Sequence, residues 1–210
     1  MKRIFTTPVL IIAAVLGLSA CAAPFDVSRN ATLSTITPAI EAQTQDWSIT
    51  ALQIDVPRTL SVSEANTIKP RADIVWREDA PGDRHTQVAA ILTEALTPVM
   101  QPNPAAATPV IVSIELIRFH ALTERARYTI GGAHEIEFVV TVRHAETGEI
   151  LSGPRDVDLT FRAYGGSQAI EAEAQGITQR VRITQRLQEW ARVEFPTAYG
   201  ALLTSALATN

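Results

Sequence analysis

Glu135-Ile136-Glu137-Phe138-Val139-Val140-Thr141-Val142 is the stretch that decides the fold. Ile136, Phe138, Val140 and Val142 fall on one side of an extended chain, and Glu135, Glu137, Thr141 and Arg143 on the other. A period of two with one apolar and one polar face describes an antiparallel strand that is half solvated. Glu146-Thr147-Gly148-Glu149 follows as a hairpin turn. The returning strand is expected over Asp156 to Tyr164, with Val157, Leu159, Phe161 and Ala163 pointing inward and Asp158, Thr160 and Arg162 outward.

Upstream, Pro109 to Phe119 is rich in β-branched residues and reads as a central strand. Trp47 to Val56 reads as the first strand, cleaner in its second half, stopped by Pro57. Thr59 to Ser63 reads as a short extended piece. Ala72 to Arg77 reads as a second strand, with Ile74 and Trp76 on one face. Asp83 is placed to cap a helix whose buried stripe is Val88, Ile91, Leu92 and Ala95, at steps of three and four. Gly165-Gly166-Ser167 opens a long helical stretch whose buried side is expected at Ile170, Ala174, Ile177, Val181, Leu187, Trp190 and Ala191, with Gly176 a breaking point and Pro196 its end. The sum is an α+β domain: a mainly antiparallel sheet of about five strands with two helices packed on one face.

The amino-terminal residues carry an address. Lys2 and Arg3 precede an apolar run from Pro8 to Leu18, which is too short to span a bilayer comfortably. Leu18-Ser19-Ala20-Cys21 resembles the lipobox of bacterial lipoproteins. The resemblance implies cleavage before Cys21, a diacylglyceryl thioether on its sulfur and acylation of the new amino group. It further implies the outer membrane, facing the periplasm, since Ala22 stands where an aspartate would favour inner-membrane retention. The expected organisation is therefore a signal peptide over 1–20, a lipid-anchored tether over 21–45, a globular domain over 46–197 and a tail over 198–210.

Cleavage would remove two of 18 basic residues and none of 22 acidic ones, leaving a formal charge of −6. That balance argues against nucleic acid as a partner. Cys21 is the only cysteine. Once lipidated it leaves no thiol for a disulfide, a thiolate nucleophile, a zinc–cysteine site or an iron–sulfur cluster.

A second resemblance covers residues 109–166. Arg118-Phe119, Arg127-Tyr128, Gly131-Gly132, the Glu135 to Val142 strand, the Glu146 to Leu151 hairpin and Gly165-Gly166 are similar to the central part of periplasmic lipoproteins of unknown function. Some of those are remotely similar to the curli-assembly lipoprotein. The resemblance implies an envelope accessory protein and carries no catalytic residue. Gly165-Gly166-Ser167-Gln168-Ala169 approximates a nucleophile elbow, yet none of His85, His120, His134 and His144 follows Ser167 as that hydrolase order requires.

His120, Glu124, His134 and Glu135 are the nearest thing to a metal-ligand set, without the dense spacing such sites have. Neither metal nor cofactor is expected. Glu124, Arg125 and Arg127, between two strands, are the candidate partner-binding residues. Three functions follow, in order of preference. The first is a non-enzymatic lipoprotein, anchored through Cys21, that binds an envelope protein or component. The second is a lipid or small-ligand module with a groove between sheet and helices. A hydrolase comes last.

Overall fold

The structure, a computed structural model, describes residues 46–196. The expected signal peptide, Cys21, most of the tether and the tail lie outside them. Six strands form one sheet: β1 (Trp47–Asp55), β2 (Ile74–Val75), β3 (Thr108–His120), β4 (Gly132–His144), β5 (Ile150–Asp158) and β6 (Phe161–Ala163). Four helices accompany them: α1 (Arg84–Leu96), α2 (Glu124–Arg127), α3 (Ser167–Ala174) and α4 (Gln179–Glu194). The long strands lie in the order β1-β3-β4-β5. β3, β4 and β5 pair antiparallel. β1 and β2 instead run parallel to β3, which requires a crossover, and α1 lies in it. The domain is α+β, with a sheet that is mixed but mostly antiparallel.

β4 follows the alternation residue by residue. Ile136, Phe138, Val140 and Val142 are buried, and they meet Val110, Val112, Ile114 and Leu116 of β3 in one cluster. α1 adds Val88, Ile91, Leu92 and Ala95, and α4 adds Ile183, Leu187 and Ala191. Asp83 caps α1 by accepting from the amides of His85 and Thr86. Phe138 meets Trp190 edge-on, with ring centroids 4.9 Å apart.

Two bulges explain where simple alternation breaks. Thr50 is the extra residue between Ile49 and Ala51, so the inward parity passes from Trp47 and Ile49 to Leu52 and Ile54. Ile117 is extra in β3, which leaves it partly exposed and turns Phe119 inward.

Three expectations need correction. The returning strand begins at Ile150, six residues early, and divides at Leu159-Thr160 into β5 and β6. Phe161 is only partly buried. The helical stretch breaks at Gly176, whose φ is +76°, and the break resets the helical phase. α3 therefore buries Ala169 and Ala172 rather than Ile170 and Ala174, while Ile170 and Ile177 face solvent. Phe138, Trp76, Leu92, Ile183 and Leu187 fill the layer between the middle of the sheet and the helices.

Candidate functional site

The residues singled out from sequence converge on one corner, where β3 ends, α2 turns and β4 begins. Thr123 caps α2 by accepting from the Ala126 amide, and its hydroxyl donates to the Thr67 carbonyl at 2.6 Å. The Arg125 amide donates to Asn66 Oδ1 at 2.8 Å, so residues 66–67 are strapped to the helix. The two glycine pairs serve this turn. A Cβ on Gly165 would lie 2.2 Å from the Gly131 nitrogen, and Gly131 itself has φ +73°. Backbone crosses backbone there, which no side chain permits.

The three candidate partner residues part company. Glu124 accepts from Arg77 Nε at 2.6 Å, and that bond holds its carboxyl below the usual carboxylate range. Arg127 lies 3.0 Å from Glu173 and 3.4 Å from Glu78, with only 12% of its side chain exposed. Its guanidinium also donates to the Tyr128 hydroxyl, which in turn donates to Glu173. These two residues are braces. Arg125 alone points outward, and among the described residues its side chain enters no ion pair.

Around the braces runs a network that sequence reasoning missed. Glu78 accepts from the Gln179 and Arg180 amides and so caps α4 from 101 residues away. Arg180 holds Asp79 through both carboxylate oxygens, at 2.7 and 2.6 Å. Burial pushes the Asp79 carboxyl up, but hydrogen bonds from Trp76 and Arg180 outweigh it and leave a net lowering. Arg84, 3% exposed, grips Glu64 bidentately. Charged pairs this far apart in sequence leave no periodic trace.

The corner has two recesses. A groove of about 250 Å³ is lined by Ile68, Lys69, His120, Leu122, Ile130 and Glu135, among others. Ile130 is 73% exposed and Ile68 40%. Lys69 and Glu135 pair at 2.6 Å at the groove. His120 is buried, donates Nε2–H to the Pro70 carbonyl and is kept below the ordinary histidine value by burial. The second recess is a cavity of about 10 Å³ lined by Arg127, His134, Tyr164, Glu173, Gln179 and Arg182, among others.

The four metal candidates do not assemble. His120 and Glu135 line the groove, Glu124 is held by Arg77, and His134 lines the other recess. Among the described residues no three His, Cys, Asp or Glu side chains are placed to hold a metal ion. Ser167 is exposed at the first residue of α3. The preceding glycine, not the serine, occupies the cap position, without a side-chain bond.

The class these features define is an α+β domain with helices on one face of a mixed sheet and an ion-paired corner at one end. The chain belongs to the family of unknown function DUF6778, whose model matches residues 47–205. No curated protein matches it. Among solved structures it is similar to a Xanthomonas campestris protein of the DUF330 family, at 12% identity and TM-score 0.38, covering 70% of this chain and 85% of that one. It is also similar to a candidate lipoprotein of Caulobacter crescentus CB15, at 14% identity and TM-score 0.26, covering 79% and 93%. Among the described residues no helix is long and apolar enough to cross a membrane.

Proposed function

We propose that this chain is an envelope lipoprotein without enzymatic activity, anchored through Cys21 at the periplasmic face of the outer membrane. Its folded body serves as an accessory or assembly factor that docks a protein at the α2 corner. The lipobox Leu18-Ser19-Ala20-Cys21 supports the anchor. The groove at Ile68 and Ile130 is the observation that carries the docking reading. Ile130 is the most exposed isoleucine among the described residues, and it stands on a turn fixed by the Gly131–Gly165 crossing. Exposed apolar side chains on a rigid turn make an anchor point for a partner. Arg125 and Arg71, both exposed and without ion pairs among the described residues, lie near Ile130 and Ile68 in sequence, while Glu135 and Glu137 are occupied by Lys69 and Arg118. The partner this favours is a protein segment with an apolar side chain for the groove and carboxylates for the arginines.

The test is crosslinking capture from intact envelopes with the lipidated protein. Ile130→Glu should abolish capture of partners that the wild type recovers, and Ile150→Glu, on another exposed isoleucine at the start of β5, should not. Equal capture by both variants would sink the docking site. Lipid labelling that survives Cys21→Ala would sink the anchor.

A further inference from the structure

The cavity beneath α2 gathers polar atoms that have nothing to bond. His134 is 1% exposed and its Nδ1 lacks a hydrogen-bond partner, as do the buried Arg127 Nε and Arg182 Nη1. All three residues line the same space of about 10 Å³. Buried polar atoms without partners are rare, and each calls for an explanation. Two of these are obligatory donors, and the imidazole nitrogen becomes a third in the Nδ1–H tautomer.

Charge narrows the answer. Arg127 is matched by Glu173 at 3.0 Å and by Glu78 at 3.4 Å; Tyr128 donates to one Glu173 oxygen, while the other, Oε1, faces Arg127 on the same lining without a hydrogen bond. Arg182 has no counterion among the described residues. Its guanidinium lies 3.7 Å from the Tyr164 ring centroid and 5.3 Å from that of Phe161, and one nitrogen donates to the Arg162 carbonyl. Burial lowers its pKa, as expected for a cation taken from water without an anion. Arg127 is therefore compensated by two carboxylates and Arg182 by none among the described residues, with His134 neutral because burial holds it at about 3.

We infer that this cavity binds one monatomic anion of chloride's class, held by Arg182 Nη1, Arg127 Nε and His134 Nδ1–H. The volume is that of a single water-sized guest, which excludes phosphate, sulfate and carboxylates. A water molecule would meet the hydrogen bonds but leave the half-buried Arg182 guanidinium without a counterion among the described residues, and a cation withdrawn from water is stabilised by a paired anion. The bound ion would tie β4, α2 and α4 together at the corner that carries the groove.

Crystals of the mature chain in sodium bromide, with data at the bromine edge, decide the matter. An anomalous peak within hydrogen-bonding distance of Arg182 and Arg127, absent from Arg182→Gln crystals, is the expected result. Long-wavelength data on chloride-grown crystals should show the same peak, which guards against bromide being too large. In solution, replacing gluconate by chloride at constant ionic strength should raise Tm by about 2–4 °C in the wild type and not in Arg182→Gln. Oxygen-sized density without an anomalous peak in either halide overturns the proposal in favour of a structural water. If Arg182→Gln fails to fold, the wild-type peak alone decides.

Discussion

Two buried regions lie along β4, and they are built from opposite materials. Around Phe138 the packing is wholly apolar, with Ile114, Leu116, Ile136, Ile183 and Leu187 all buried to within 2% of complete. Around Arg127, a few residues upstream of the same strand, burial is achieved by charge: Arg77, Glu78, Glu124, Glu173 and Arg180 are tied across three helices and a loop. The apolar region gains from every square ångström it removes from water. The charged one must recover its desolvation cost through geometry. The first should therefore tolerate changes of pH and salt, and the second should fail when one partner is lost.

The largest effect expected is in the apolar region. Phe138→Ala should cost about 3–5 kcal/mol in chemical denaturation, since the ring is fully buried against Trp190 and has no route to collapse. Phe161→Ala should cost distinctly less, because that ring is only partly buried beneath Arg182. Equal losses would mean that the two regions are not separate.

Next comes the charged region itself. Arg127→Ala strips Glu78 and Glu173 of their shared cation and should cost roughly 1–3 kcal/mol. A loss below about 0.5 kcal/mol would place Arg127 among surface residues after all.

Acid gives a third, smaller contrast. Arg84 holds the Glu64 carboxyl below the usual range, and Arg77 does the same for Glu124. A folded-state value below the unfolded one means stabilisation that is full above the unfolded pKa and is lost as pH falls through the folded one. Unfolding monitored between pH 6 and pH 3 should therefore show stability declining below about pH 4.3, the ordinary glutamate value. Glu64 is half exposed and Glu124 about a third exposed, at 51% and 35%, so screening keeps each contribution small. Arg77→Ala should make the decline shallower. A steeper one would contradict the pairing.

What could be read from the sequence follows the same division. Alternation in Glu135 to Val142 and the three-and-four spacing in α1 are local signals, and both elements stand where those signals place them. A bulge is invisible to a count of two, so Thr50 and Ile117 shift the inward face without warning. One stripe drawn through α3 and α4 misassigned Ile170 because the phase restarts after Gly176. Glu124, Arg125 and Arg127 could be picked out as a charged connection, but their roles depend on Arg77, Glu78 and Glu173, some 45–50 residues away in either direction. The two Gly-Gly steps bracket the β4–β6 hairpin region and meet at its open end, a contact that neither pair announces on its own.

The smallest effect on stability is the one that most sharpens the contrast within the charged region. Arg125 sits between Glu124 and Ala126, yet only its backbone joins the fold, through Asn66 and Thr129. Its side chain is solvated, so Arg125→Ala should change unfolding by less than about 0.5 kcal/mol. The same substitution removes an exposed planar cation from α2, one that could hold a partner's carboxylate bidentately. Capture in the envelope crosslinking assay should fall several-fold while Tm stays put. Arg125→Lys should recover only part of the loss, because a point charge cannot reproduce the fork. Arg127→Ala offers the opposite pattern, with a lower Tm and capture reduced only in proportion to the unfolded fraction. If Arg125→Ala destabilises the domain as Arg127→Ala does, the whole of α2 is a brace. If it is stable and captures partners as the wild type does, binding at this corner rests on the apolar groove without the arginine.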